Sequence, residues 1–228
     1  MVMSTGSAKP PGPRRKYDNR RRRADAEARQ RRIIAAAAAL FVEQGFGATS
    51  IDQIAAAVDV SPESIYKKYG SKAGVLSAVI EDALVGEHDG TAVVDRAPGL
   101  ADISGDLRAA RFADYAKFIR TLNERVAPLI RVMEQATSSE LALKELRSRL
   151  HDIQRADCRH WIDQLGAKSL RPGLSTAQAV NVMSTINTPY VYSLLTVDGD
   201  MTADEYEQWL AHALPHLLLK PELLGAHE

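Results

Sequence analysis

The chain has 228 residues, no formal net charge, 45% hydrophobic side chains and a single cysteine, Cys158. That length suits a small domain joined to a medium one, or one elongated helical unit. One cysteine excludes an internal disulfide, and neither an apolar leader nor a run of about 18 apolar residues is present, so a cytoplasmic protein with no membrane segment is expected.

The zero charge conceals an asymmetry. Residues 1–32 hold eleven basic side chains against three acidic ones, which leaves eighteen against twenty-six for the remainder. A basic start on an acidic body points to a polyanionic partner. Pro10, Pro11 and Pro13 precede the basic runs 14–16 and 20–23, and this composition predicts a disordered arm over 1–23. Such an arm, with Arg20, Arg21, Arg22 and Arg23 at its end, can follow DNA phosphates or enter a minor groove.

A first helix is predicted from about Ala24 to Gln44, with Ile33, Ile34, Ala37, Leu40 and Phe41 as its core stripe and Gly45 as its stop. Ser50 and Gln53 form the S-x-x-Q capping-box pattern of a second helix, whose apolar stripe is Ile51, Ile54, Ala55 and Val58. Asp59 stands where the chain must turn, and Val60 should plug the angle. Ser61 caps a third helix with Pro62 at its first position. There Ile65 and Tyr69 face inward, while Pro62, Glu63, Tyr66 and Lys67 face outward. Gly70 ends this helix and Ser71 caps a fourth, with Leu76, Val79 and Ile80 inward. Two short helices joined by a tight turn make a helix-turn-helix.

Residues 86–105, rich in Gly, Asp and Ala, read as a long loop. Helical spacing resumes at Leu107 through Leu122, and Pro128 is expected to break or restart that helix. A short helix follows with Leu129, Ile130 and Met133, then a long one from about Ser139 to Leu165. Ser175 with Gln178 and Thr202 with Glu205 are further capping boxes that open the last two helices. Pro189 should kink the penultimate helix, and Pro215 should bend or restart the last. The fold class is all-α with about nine helices. The domains are an arm (1–23), a helix-turn-helix unit (24–85), a linker (86–105) and a helical body (106–228).

The stretch SIDQIAAAVDVS at 50–61, PESI at 62–65 and YKKYGSK at 66–72 resembles the DNA-binding domain of TetR-family transcriptional regulators. Asp59 replaces that family's usual turn glycine, and Lys68 stands where it often has His or Tyr. The resemblance implies phosphate contacts by Ser50, Tyr66, Lys68 and Lys72, and base-edge contacts by Pro62, Glu63, Ser64 and Lys67, next to the capping Ser61. It also implies an effector cavity in the helical body, for which Phe112, Tyr115, Met133, Trp161, Met183, Asn187 and Tyr190 are candidates. Asn187 stands out because an amide on an apolar helix needs a partner. The last two helices are implied to form a homodimer interface, with Tyr206, Trp209, Leu210, Ala213 and Leu217 as its residues.

Enzymatic chemistry finds little support. His212 and His216 have the i, i+4 spacing of a zinc-binding HExxH, but Ala213 occupies the place of the glutamate and no third ligand is evident. Cys158 and His160 are two apart and fall on different helix faces. No catalytic residue, metal or cofactor is expected. The expected function is a ligand-responsive, sequence-specific repressor that binds a palindromic operator in double-stranded DNA as a homodimer and releases it on binding a small apolar or amphipathic effector. The alternative is an architectural DNA-binding protein without a small-molecule switch.

Overall fold

A computed structural model describes residues 14–86 and 107–224, with side chains over 20–86 and 110–224. Residues 1–13 of the expected arm and 87–105 of the expected loop lie outside the described residues. The described residues form nine α-helices: α1 (Arg14–Ala48), α2 (Ile51–Ala57), α3 (Pro62–Tyr69), α4 (Lys72–Val85), α5 (Leu107–Ala136), α6 (Leu141–Leu165), α7 (Thr176–Ile186), α8 (Pro189–Thr196) and α9 (Ala203–Leu218). Short 3-10 turns at Ala167–Ser169 and Pro221–Leu223 follow α6 and α9. An isolated antiparallel bridge joins Leu170 to Leu219.

The start of α1 corrects one expectation. Residues 14–23, read as part of a disordered arm, are helical, and α1 begins ten residues ahead of Ala24. Propagating an anchored helix costs far less than nucleating one, and arginine is a good helix former. Arg23 Nε meets Glu27 Oε1 at 2.9 Å across one turn, which supports the extension. The helical run is interrupted at Gly45, where φ of 78° and ψ of 171° end the first helix as its sequence position implies.

The prolines behave in three ways. Pro128 lies inside α5, which runs unbroken from Leu107 to Ala136. Leu129, Val132, Met133 and Ala136 beyond it are buried, and this packing outweighs the one hydrogen bond that a proline removes. Pro215 likewise lies inside a continuous α9. Pro189 does more than kink its helix: α7 stops at Ile186, Asn187 closes it, and Thr188 caps a new helix with Pro189 in its first turn.

Two cores result, and they do not divide at the 86–105 segment. One gathers Phe41, Ile54, Ile65, Leu76 and Ile80 of α1–α4 with Leu129 and Met133 of α5 and Leu143 and Leu146 of α6. The other joins Phe112 and Tyr115 of α5, Trp161 and Ile162 of α6, Met183 of α7, and Tyr206, Leu210 and Leu214 of α9. Each of these side chains contributes on the order of 1.5–3 kcal/mol by leaving water. The second half of α5 therefore belongs to the DNA-binding unit's core as much as to the body's. Among the described residues, no helix is long and apolar enough to cross a membrane.

Candidate nucleic-acid interface and effector cavity

Local chemistry builds the helix-turn-helix as its sequence dictates. Ser50 N donates to Gln53 Oε1 at 2.7 Å while Gln53 N donates to Ser50 Oγ at 3.1 Å, which completes the capping box. Asp59 adopts φ of 55° and so supplies the left-handed turn. Ser61 caps α3, accepting from Ser64 N at 3.4 Å and sharing a 3.0 Å hydrogen bond with the Ser64 hydroxyl. Ile65 is fully buried. The outer face then presents Glu63, Ser64, Tyr66, Lys67 and Lys68 to solvent, with Tyr66 52% exposed.

The three lysines differ in what holds them. Lys67 is exposed on the outer face. Lys68 donates to Gln30 Oε1 and ties the end of α3 to α1. Lys72 is spoken for: its Nζ donates to the carbonyls of Phe46 at 2.6 Å, Thr49 at 2.8 Å and Gly47 at 3.4 Å, and lies 4.3 Å from the Phe46 ring centroid. An ammonium has three protons, and these carbonyls take them. In this structure the Lys72 ammonium, expected at a phosphate, caps the α1–α2 junction. The same junction is pinned by the buried Thr49, whose hydroxyl contacts Gly45 O at 2.8 Å and Leu40 O at 3.1 Å. Arg20, Arg21, Arg22 and Arg23 are all exposed on α1. They lie two to three turns before Gln30, roughly 10–15 Å along the axis from the Lys68 contact.

In the body, a cavity of about 340 Å³ opens between α4, α5, α6 and the α7–α8 junction, at the small end of the ~300–1,000 Å³ usual for ligand sites. Tyr115, Met133, Trp161, Asn187 and Tyr190 line it. Phe112 and Met183 do not: both are fully buried in the surrounding core, because their positions on α5 and α7 turn them toward neighbouring helices. The lining also includes Ile119, Leu122, Val126 and Ile130 of α5, Leu150, Gln154 and Cys158 of α6, and Leu84 of α4. The α5 members sit with Met133 at helical spacing, a stripe hidden in the sequence by the assumption that Pro128 ends the helix.

The cavity's polar end is a buried network. Asn187 Nδ2 donates to Tyr115 Oη at 2.7 Å, and the Tyr115 ring meets Trp161 edge-on with centroids 4.1 Å apart. Asn123 Nδ2 reaches the Asn187 carbonyl at 3.4 Å and Tyr206 Oη at 3.3 Å. Burial pushes the Tyr115 hydroxyl well above its ordinary range, the hydrogen bond from Asn187 pulling the other way. Burial likewise pushes the Cys158 thiol up to about 12, so the thiol is protonated and inert as a nucleophile at neutral pH. On another wall Arg147 pairs with Glu134 at 3.2 Å.

The expected dimer stripe splits between two faces of α9. Tyr206 and Leu210 are fully buried inside the chain's own core with Leu214 and Leu218, so they offer no surface to a partner. Trp209 and Ala213 are half-buried and Leu217 is exposed. Beside them Tyr190 and Leu194 of α8, with Val197 just past its end, form an exposed apolar stripe at i, i+4 and i+7. Two histidines of the α9 outer face bond to their own helix: His212 Nδ1 donates to Gln208 O and His216 Nδ1 to His212 O, each at 2.7 Å.

These features define a helix-turn-helix DNA-binding protein. Residues 33–79 match the family model for bacterial regulatory proteins, tetR family. That module is a DNA-binding domain of the TetR-family type. No curated protein matches the sequence. Among solved structures, the chain is similar to NalD, the secondary repressor of the MexAB-OprM multidrug efflux pump in Pseudomonas aeruginosa, at 18% identity and a TM-score of 0.64, over 86% of this chain and 98% of that one. It is also similar to SmeT in complex with triclosan (16% identity, TM-score 0.63, covering 88% and 99%), and to the flavonoid-responsive regulator FrrA (21%, 0.57, covering 84% and 95%). At these identities the likeness establishes the fold.

Proposed function

We propose that the chain is a ligand-responsive repressor that binds a palindromic operator as a homodimer in the cytoplasm and releases it when a small apolar effector enters the body. The observation that carries this reading is the course of α4. Its first residue, Lys72, clamps the carbonyls that position the helix-turn-helix, and near its other end Leu84 forms part of the cavity wall. One helix thus touches both sites, and a ligand that shifts it moves the DNA-reading face. Phosphate contacts fall to Ser50, Tyr66, Lys68 and the α1 arginines, and base contacts to Pro62, Glu63, Ser64 and Lys67. Trp209, Ala213 and Leu217 with Tyr190, Leu194 and Val197 supply the dimer face. SmeT was solved with triclosan and FrrA is flavonoid-responsive, which supports a small-molecule effector here. The cavity counts against the purely architectural alternative, which gives it no role.

A thermal-shift screen of apolar metabolites, followed by operator titrations with each hit, tests the switch. Binding sites that are coupled affect one another reciprocally. A true effector therefore both raises the melting temperature and weakens operator binding, and compounds that stabilise the protein without touching operator affinity argue for the architectural reading.

A further inference from the structure

Asn187 is only half satisfied. It closes α7, is 5% exposed and lines the cavity. Its Nδ2 is committed to Tyr115, but its Oδ1 has no hydrogen-bond partner among the described residues. Tyr69 Oη and Ser193 Oγ are likewise buried without a partner, yet neither residue lines the cavity. A desolvated carbonyl that lacks a donor destabilises the fold unless something fills the position. The amide is also held in place. Tyr115 fixes one end, Asn123 holds its backbone carbonyl, and the α7–α8 break at Thr188 and Pro189 leaves the residue little freedom to turn.

We infer that the Asn187 carboxamide is the polar anchor of the effector cavity, and that it selects an uncharged, largely apolar ligand of one or two rings bearing a hydroxyl or N–H donor. This rests on the reading of the cavity as an effector site. The donor completes the bonding of Oδ1, while Ile119, Leu122, Val126 and Ile130 receive the apolar rings. A charged ligand is disfavoured at this anchor because Asn187 is buried, and burying an unpaired charge beside it is costly. Tyr115 is a positioning residue: it binds the amide nitrogen and so leaves the oxygen for the ligand.

The test compares 2-naphthol with 2-methylnaphthalene, which replaces the hydroxyl by a methyl of similar size, in calorimetric titrations of the full chain. Wild type should bind 2-naphthol about three- to tenfold more tightly, the range of one hydrogen bond's net contribution. In Asn187→Leu the preference should collapse while 2-methylnaphthalene binding is kept. Circular dichroism reports whether that variant folds, and Asn187→Ala, which also lacks an acceptor, serves where it does not. Equal affinities in wild type, or a preference that survives loss of the amide, would overturn the anchor while leaving the cavity a ligand site. Failure of both compounds to bind wild type would overturn the effector reading and the anchor with it.

Discussion

Lys72 shows how far a residue's type and position determine its work. Its place in the YKKYGSK run resembles that of a phosphate-binding lysine, yet its ammonium lies on the carbonyls of Phe46 and Thr49. Substituting Lys72→Ala should therefore lower stability by about 1–2 kcal/mol, the value of charge-assisted hydrogen bonds discounted for partial exposure. It should leave the salt dependence of DNA binding unchanged. Lys67→Ala should leave stability unchanged and relax base preference at one position of the half-site. A fall of about one in the salt slope for Lys72→Ala would restore the phosphate role. The caps were legible in the sequence because Ser50 with Gln53, and Ser61 with Pro62, satisfy backbone groups within a few residues of themselves. The Lys72 clamp was not legible, because its acceptors are backbone carbonyls 23 and 26 residues away. Backbone carbonyls carry no sequence signature.

Among the elements, the α3–α4 corner is the tightest constraint on the DNA-reading face. A Cβ on Gly74 would sit 2.0 Å from the Tyr69 carbonyl oxygen. No side chain can move to relieve a backbone clash of that depth. Gly74→Ala should push α3 away from α4, lowering the melting temperature and abolishing operator binding, whereas Ala78→Gly, in the same helix, should cost only about 1 kcal/mol. Equal melting temperatures for Gly74→Ala and wild type would show that the corner is looser than this geometry. Helix α5 teaches the converse lesson about legibility. Its apolar stripe from Ile119 to Met133 obeys helical spacing throughout, but Pro128 is a local breaker that tertiary packing overrides. Reading the stripe across the proline would have found the cavity wall. The α9 stripe misled for a related reason, since spacing alone cannot say which side of a helix its own chain covers.

At the scale of the whole molecule, the two cores interlock through α5 and α6, so the DNA-binding unit is packed onto the body rather than tethered to it. In the proposed reading, that arrangement gives occupancy of the cavity a route to the helix-turn-helix through α4 and α5. It also places the stripe of Tyr190, Leu194 and Val197 on the surface beside α9. Leu194 is 48% exposed, so Leu194→Arg should preserve the helical circular-dichroism spectrum of the chain. It should halve the mass seen in sedimentation and weaken operator binding sharply, because a lone protomer can engage one half-site only. A variant that still sediments as a dimer would move the interface elsewhere. The most direct measurement of the central claim is selection of DNA from a random pool with the purified chain. The account predicts a palindromic consensus whose half-sites lie about 34–36 Å apart, one helical turn, or a multiple of that spacing. Recovery of DNA with no consensus, bound in proportion to length and lost uniformly with salt, would contradict it.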